Sequence, residues 1–423
     1  MSAMQRAIAL ALAILSTGSW ADEADDLALS LPSAEPKATQ GRRPWQLFTE
    51  LGAGRSIARD LPSLAEVPRS TQRLSIDLQI DARLTPELRF QLADRFDADW
   101  QYQFERRHDV NTLKEAYVSW QPRTSLVVDA GRVNQFSGVA LGYNPTDYFR
   151  TGAVRSLVSV DPTSVKKNRQ GSVMLRAQTF LDDSSFTVAY APALSDRSST
   201  DAFNLDFGAT NARHRGLLTF SKRLTEDINP QWLMFLDEGQ APQFGMNLTR
   251  LVNDSTVGYL EWSGGRSRSL LDQALGQPAE KHFRNRVSTG LTYTTSNKLS
   301  LTLEYQYNGT GSRRGEWQAL PAASIPAYAI YRGVASFAQE MPTRQALFAY
   351  AIWQDVLIKH LDLTAMVRYN AEDRSRLSWV EVRYKLTRDE VAWQWQGNSG
   401  SLFSEFGAAP VVRGWQVVYR HFF

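Results

Sequence analysis

The chain has 423 residues, of which 43% are hydrophobic, 22% charged and 11% aromatic, and it contains no cysteine. The lack of cysteine excludes disulfide scaffolds, Cys-ligated zinc, iron–sulfur clusters and a cysteine nucleophile, and the lack of repeated apolar runs of about 20 residues excludes a bundle of membrane helices. Lys and Arg number 47 against 44 Asp and Glu, a net charge of +3, and without a concentrated basic stripe this argues against a nucleic-acid partner.

The N-terminus has the pattern of an export signal over residues 1–21. Arg6 supplies the positive start, the apolar stretch 7–15 follows, and Ser19 and Ala21 place small residues before a cleavage point. That stretch is too short to span a bilayer, which needs about 20 residues; a buried N-terminal helix is the alternative. Residues 22–43 are acidic and then contain Pro and Ser. We therefore expect a signal peptide, then a flexible periplasmic segment that could also plug a pore.

Residues 44–423 alternate between apolar and polar side chains. Leu74, Ile76, Leu78 and Ile80, for example, are separated by single polar residues, and a strand directs successive side chains to opposite faces. About 18 such segments occur, each close to the 9–11 residues that a tilted membrane strand needs. The sequence predicts an all-β fold, a transmembrane up-and-down antiparallel β-barrel of about 18 strands (16–18) with long external loops.

The connections between these segments are alternately short and long. Tight turns inside and long loops outside are typical of an outer-membrane barrel, and a soluble sandwich has no reason to separate them. Two connections, near 239–241 and 372–373, depart from this alternation, because they are short although they fall at the end where long loops are expected. The long connections are predicted at 57–70, 98–111, 135–169, 194–212, 266–282, 310–342 and 398–411.

The C-terminus forms a last alternating segment that ends at Phe423. This segment resembles the strand that the barrel assembly machinery recognises in outer-membrane barrels, although His421 departs from the apolar residue usual at its position. The alternative is an ordinary closing strand. We expect the assembly machinery and outer-membrane lipid as partners, and a cell outer membrane location.

If the apolar faces meet lipid, the polar faces line the lumen, and a barrel of this size is wide enough for water. Acids concentrate on the early strands and cations on later ones, so opposed walls of charge could order solutes in the pore; alternatively, these charges pair across strands. The predicted pore-lining residues are Asp77, Asp81, Glu115, Asp129, Arg176, Arg284, Arg286, Arg368, Arg383, Lys385 and Arg420.

The third long connection, 135–169, is the best candidate for a functional loop. It is too apolar for a solvated hairpin tip, and its Gly and Asn-Pro residues specify defined turns. A long third loop folded inward resembles the constriction loop of porins; packing on the outer rim is the alternative. The predicted constriction residues are Tyr143, Asn144, Pro145, Asp147, Tyr148, Phe149 and Arg150.

A family resemblance extends over residues 113–150. Its strand, turn and strand end with Ala130-Gly131-Arg132, and the segment from Tyr143 to Phe149 follows. This run resembles a segment of large porin-like and alginate-export-like outer-membrane barrels of Gram-negative bacteria. The porin resemblance implies a transport channel and a possible homotrimer. The alginate-type resemblance implies passage of an anionic polysaccharide.

The sequence therefore predicts an outer-membrane pore for small hydrophilic or anionic solutes, narrowed by the inward third loop. Three alternatives stay open: an exporter of a polysaccharide or other secreted product, a plugged surface receptor or assembly factor, and a secreted soluble all-β carbohydrate-active protein. His108 beside Asp109 is the single candidate for catalysis, and a solvated loop histidine explains it better. We expect no enzyme activity, no metal and no cofactor.

Overall fold

The computed structural model describes residues 43–59, 69–101 and 106–423. The predicted signal peptide, and the predicted N-terminal segment up to residue 42, lie outside these residues. Within them the chain forms eighteen strands. Their bounds are β1 Trp45–Ala58, β2 Ser70–Arg83, β3 Leu88–Gln101, β4 Arg106–Arg123, β5 Leu126–Val133, β6 Ser172–Leu181, β7 Ser184–Ala191, β8 Arg215–Lys222, β9 Gln231–Asp237, β10 Gln243–Asn253, β11 Thr256–Ser267, β12 His282–Thr294, β13 Leu299–Asn308, β14 Gln345–Trp353, β15 Leu361–Asn370, β16 Arg376–Lys385, β17 Asp389–Ser399 and β18 Val411–Phe422.

The strands form one closed antiparallel ring. Each strand pairs with the next in the chain, and β18 pairs with β1 to close the ring, with Phe48 opposite Phe422 and Thr49 opposite His421. Closure leaves no sheet edge with unpaired backbone groups, which is what a strand structure needs inside a bilayer. The predicted up-and-down barrel of 18 strands is confirmed.

The two faces of the ring differ in chemistry as the alternation predicts. Outward side chains are apolar and exposed, as at Leu51 and Leu303, with exposed fractions of 54% and 65%. Inward side chains are polar and buried, as at Glu50 and Glu261, which are 3% and 0% exposed. The wall therefore has a continuous apolar outer surface for lipid.

The two ends of the ring differ in connection length. The strands meet in tight turns such as 124–125 and 182–183 at one end, and in long loops such as 134–171 and 309–344 at the other. The long-loop end is the external end of an outer-membrane barrel.

One expectation was wrong: residues 98–111 are mostly strand, because β3 and β4 continue their ladder up to the pair Gln101 and Arg106.

Within the part of the chain that the structure describes, five helices lie in the long loops. Their bounds are α1 Pro162–Lys167, α2 Phe207–Thr210, α3 Leu270–Ala274, α4 Arg314–Ala323 and α5 Ile325–Phe337. In α5, Pro326 occupies the first turn, where its missing N–H costs nothing, and the Ser324 hydroxyl accepts the Ala327 N–H at 3.2 Å. Across the described residues, the helices all lack the length and apolarity to span a membrane.

Candidate functional site

The connection 134–171, which we call loop 3, contacts the interior face of the barrel. Its tightest attachment is to Glu261, a fully buried carboxylate on β11. One oxygen accepts the backbone N–H groups of Val139 at 2.9 Å and Ala140 at 3.1 Å, together with the Asn144 side-chain amide at 3.1 Å. The other accepts both the N–H of Thr146 at 2.8 Å and its hydroxyl at 2.9 Å. Charge-assisted bonds of this kind are about twice as strong as neutral ones.

A second wall carboxylate, Glu304 on β13, holds the next part of loop 3. It accepts the backbone N–H groups of Leu141 and Gly142, the latter at 3.0 and 3.1 Å, and the Tyr259 hydroxyl at 2.7 Å. On the neighbouring wall, the Arg368 guanidinium donates to the Gly142 carbonyl. The wall thus bonds both to backbone N–H groups and to a backbone carbonyl of loop 3.

Two glycines allow loop 3 to approach the wall this closely. Gly138 has φ +110°, and a Cβ atom there would lie 2.5 Å from Glu261 Oε2. A Cβ atom on Gly142 would lie 2.6 Å from the Phe348 ring. These spacings are too short for any other residue, so the glycines in the sequence mark the contact points.

Aromatic packing reinforces the polar attachment. Tyr148 stacks on Phe235 of β9, with ring centroids 4.5 Å apart, and its hydroxyl lies 2.9 Å from Ser263 Oγ. Phe149 meets the same Phe235 edge to face at 5.8 Å. Pro145 also belongs to this buried stretch. The apolar content of the loop, unexpected for a hairpin tip, is therefore buried against the wall.

Glu340 joins loop 3 to the connection 309–344, which we call loop 7. Its carboxylate accepts bonds from Arg150 of loop 3, from Arg286 of β12 at 2.9 Å and from the Tyr143 hydroxyl at 2.6 Å. Burial would raise the pKa of Glu340, but the two arginines hold it below its ordinary value. Burial likewise opposes the charge on Arg150, yet Glu340 keeps the pKa of this guanidinium above its ordinary value.

The second half of loop 3 reaches other parts of the wall. The Tyr350 hydroxyl of β14 donates to Asp161 at 3.0 Å, and the Gln416 side chain of β18 donates to the Val158 carbonyl at 3.4 Å. Burial raises the pKa of Asp161. Within the loop, Arg169 pairs with Asp147 at 2.5 Å. The loop therefore contacts walls that lie apart around the ring.

The wall charges of the early strands pair with one another. Glu50 accepts Arg95 at 3.2 Å and Arg420 at 2.8 Å, and Asp77 accepts the ammonium of Lys114 at 2.7 Å. A comparable pair joins neighbouring strands at the predicted residues Arg176 and Asp129, at 2.7 Å. On this wall, cations lie between the acids. The wall charges thus pair across strands, as the alternative to opposed walls of charge predicts.

Later strands repeat this arrangement. Arg383 pairs with Glu381 at 2.9 Å and with Glu390, and Lys385 pairs with Asp362 at 2.7 Å. The remaining predicted acids lie elsewhere on the wall: Asp81 pairs with Arg89 near a tight turn, and Glu115 lies on β4 opposite Ala93.

Three inward arginines bond to neutral groups and form no salt bridge within the described residues. Arg284 donates to the carbonyls of Ser267 at 3.2 Å and Gly309 at 3.0 Å. Arg215 donates to the Ser172 hydroxyl at 3.0 Å. The third, Arg368, bonds to loop 3 as described above. At these wall positions, no ion pair within the described residues neutralises the positive charge.

Two of the cavities that the described residues form border loop 3. The first, of about 500 Å³, lies between loop 3, loop 7 and the connection 192–214, and five arginines line it: Arg150, Arg213, Arg215, Arg284 and Arg286. The second, of about 540 Å³, lies between residues 155–160 and the wall of β1 and β18, where Gly52 and Gly54 carry no side chain.

Sequence reasoning missed two residues that the site depends on. Glu340 is one of two acids, with Glu316, in an Ala- and Pro-rich connection, and nothing local distinguishes it. Lys114 lies at a β-bulge, where the register shifts between Ala93 and Asp94 of the paired strand, so simple alternation assigned it to the wrong face.

Two of the histidines lie at strand ends near other polar side chains. His108 lies opposite Asp99 at the end of β4, and His214 contacts Tyr190 at 2.7 Å. In the described part of the chain, no three His, Asp or Glu side chains converge as metal ligands.

Known structures match this fold over most of its length. OccK5 (OpdH) of Pseudomonas aeruginosa aligns with 10% identity over 89% of this chain and 97% of its own, at a TM-score of 0.54. OccAB4 of Acinetobacter baumannii aligns with 7% identity over 90% and 97%, at 0.53. OccK8 (OprE) of P. aeruginosa aligns with 10% identity over 90% and 98%, at 0.53.

No family model and no curated protein matches the sequence. The likeness therefore concerns architecture, and at this level the predicted resemblance to porin-like barrels is confirmed. The alginate-export part of the prediction stays untested. The chain has the fold of the outer-membrane porin and Occ channel barrels.

Proposed function

We propose that this chain forms a water-filled pore in the outer membrane for small hydrophilic or anionic solutes, and that loop 3 narrows it. One observation carries the proposal: loop 3 bonds to Glu261 and Glu304 on one part of the inner wall and to Gln416 on another. A segment that is bonded to separate parts of the wall narrows the lumen but leaves part of its cross-section open. The two cavities beside loop 3 are the space left for solute.

The preference for anions rests on the first cavity. Arg215 and Arg284 line it and bond to neutral groups, whereas Arg150 and Arg286 share Glu340. The cavity is lined by five arginines against four acids, Asp147, Asp196, Asp237 and Glu340, and this small excess of positive charge raises the local concentration of anions. The OccK and OccAB4 channels share the fold, which supports a channel rather than a catalytic role for this chain.

The second cavity allows a direct test of the path that solutes take through the pore. A Cβ atom on Gly52 points inward and would be in ordinary contact with the Arg73 side chain, 3.4 Å from its Nη2 and 3.8 Å from its Cβ. Gly52→Leu should fill space between loop 3 and β1 and lower single-channel conductance in planar bilayers by roughly twofold. Ala53→Leu is the matched control, because Ala53 is the next residue on the same strand and is exposed on the outer face.

The same recordings separate the alternatives. Steady steps with an anion-selective reversal potential support the pore. Absence of conductance from correctly folded protein would instead favour a plugged receptor, and equal conductance of Gly52→Leu and the parent would place the route elsewhere. A homotrimer, polymer export and assembly through the strand ending at Phe423 remain predictions for crosslinking and export assays.

A further inference from the structure

The outer surface of the barrel carries a basic groove at its long-loop end. We call it the outer arginine groove, and its lining residues are Arg55, Ser56, Ile57, Arg69, Ser70, Trp395, Arg413, Gly414 and Trp415, around a volume of about 660 Å³. Five of these residues, Arg55, Ser56, Trp395, Gly414 and Trp415, also border the second cavity. The side chains of Arg55, Arg413 and Trp415 nevertheless belong to the exposed outer rows of their strands, and the proposed pore gives these side chains no role.

Alternation places the key side chains of this groove on the lipid-facing surface. Leu51 and Ile57 of β1 are 54% and 51% exposed, and Arg55 shares their face. On β18, Trp415 is 46% exposed and Arg413 is two residues beyond it on the same face. Near the external end of the barrel, the outer rows of two adjacent strands thus each contain an arginine, and on β1 Ile57 follows Arg55 on the same face.

The register brings the two arginines together. Arg55 lies opposite Trp415, and Ile57 lies opposite Arg413, so Arg55 and Arg413 are diagonal neighbours, about 7–8 Å apart at their backbones. The two guanidinium groups can therefore reach the same headgroup.

Aromatic side chains form the inner border of the groove. Trp395 of β17 lies opposite Trp415. Its ring folds over Gly397, where a Cβ atom would lie 2.6 Å from the ring, and Gly397 in turn lies opposite Arg413. A flat apolar surface therefore lies directly beside the charge, an arrangement that suits a ligand with both polar and apolar parts.

The charge of the groove calls for an anion. No Asp or Glu is among its described lining residues, and neither Arg55 nor Arg413 forms a salt bridge within the described part of the chain. An arginine facing lipid is tolerated only near the headgroups, where its planar fork suits phosphate oxygens. A phosphorylated headgroup would supply the missing charge at that depth.

We propose that the outer arginine groove binds the phosphorylated sugar headgroup of an outer-leaflet glycolipid of the lipid A class. Arg55 and Arg413 contact the phosphate, and the rings of Trp395 and Trp415 pack against the sugar. The contacts are non-covalent, and they fix the barrel to one particular lipid at its rim.

The test uses the full mature protein in detergent with purified lipid A, followed by native mass spectrometry. We expect a one-to-one adduct whose affinity falls about 30-fold in the double variant Arg55→Gln/Arg413→Gln and about 5-fold in Arg413→Gln alone. Arg250→Gln is the matched control, because Arg250 is an exposed arginine near the opposite end of the barrel, and it should bind as the parent does.

Two further arms identify the ligand. Dephosphorylated lipid A should not form the adduct, and phosphatidylglycerol should bind at least tenfold more weakly. Equal binding of either lipid, or parental affinity in the double variant, would overturn the proposal. Heat-dependent migration on gels verifies that each variant is folded, and the single variant decides the question if the double variant fails this check.

Discussion

Glu261 Oε1, on the wall of the barrel, accepts both the backbone N–H of Thr146 at 2.8 Å and the Thr146 hydroxyl at 2.9 Å. The two residues are 115 positions apart in the chain, and they join loop 3 to β11. Because the same carboxylate also holds Val139, Ala140 and Asn144, its removal leaves several buried donors without an acceptor.

We therefore expect Glu261→Ala to release the middle of loop 3. Each buried donor left unsatisfied costs about 1–3 kcal/mol, so the loop should detach rather than stay in place. Single-channel recordings should show larger and noisier currents than the parent. Glu87→Ala, at an exposed tight turn, is the control; quiet, parental currents in Glu261→Ala would contradict the attachment.

The Glu340 junction should resist mild acid. The arginines hold the pKa of this carboxylate below its ordinary value of 4.5, so the stabilisation is fully present above that value and is lost only as the pH falls through the lower, folded-state pKa. Conductance should therefore stay constant from about pH 7 to pH 5.

Glu340→Gln should remove the charge that Arg150 and Arg286 share. We expect conductance at pH 7 to change to the value that the parent shows only in strong acid, and anion selectivity to rise because two cations lose their partner. Bilayer recordings across this pH range test both expectations. A change in the parent's conductance between pH 7 and pH 5 that Glu340→Gln abolishes would contradict the assigned direction.

Glu405 in the external connection 400–410 should respond to pH in the opposite sense. Burial, with a contribution from nearby Asp373, raises its pKa to about 7, although Asn370 donates to it at 2.6 Å. A carboxyl group with a raised folded-state pKa loses stability as the pH rises from its unfolded value to its folded value, here by roughly 3 kcal/mol in total.

Protonation of Glu405 should thus make the parent unfold at a higher temperature at pH 5 than at pH 8. Glu405→Gln mimics the protonated carboxyl group and should narrow that difference. Thermal unfolding in detergent and chymotrypsin cleavage near the exposed Phe403 report the change. An undiminished difference between the two pH values in Glu405→Gln would assign the effect to another group.

Arg284 and Arg383 provide a contrast between two kinds of wall cation. Arg284→Gln removes a charge that bonds only to carbonyls, so it should reduce anion selectivity with little loss of stability. Arg383→Gln leaves the buried Glu381 without an arginine partner, while Glu390 keeps Arg420 at 3.2 Å, and it should cost about 3 kcal/mol of stability. Reversal potentials and thermal unfolding of the two variants distinguish these outcomes; equal stability losses would refute the contrast.

The barrel could be predicted from the sequence because its determinants are local. In a strand such as Leu299–Asn308, simple alternation predicts which face contacts lipid. The length of the connections predicts which end of the barrel is external. Even there, the ladder beyond Ala98 escaped prediction, because pairing between β3 and β4 extends the strands into residues that lack a clear pattern.

The internal contacts could not be predicted because they join residues far apart in the chain. Nothing near Thr146 identifies Glu261 as its partner among the many inward acids, and Arg150 meets Glu340 across 190 positions. The sequence indicated that Gly138 and Gly142 form turns, but it could not indicate that a wall side chain occupies the space of their missing Cβ atoms.

The pairing of the first strand with the last has a consequence for biogenesis. Glu50 bonds to Arg420 across 370 positions, so the seam cannot form until nearly the whole polypeptide has been delivered to the membrane. Until then, both β1 and β18 expose open edges that favour aggregation, and closing so long a span is slow. Shortening the C-terminal strand by a few residues should therefore prevent insertion altogether rather than yield a slightly smaller barrel.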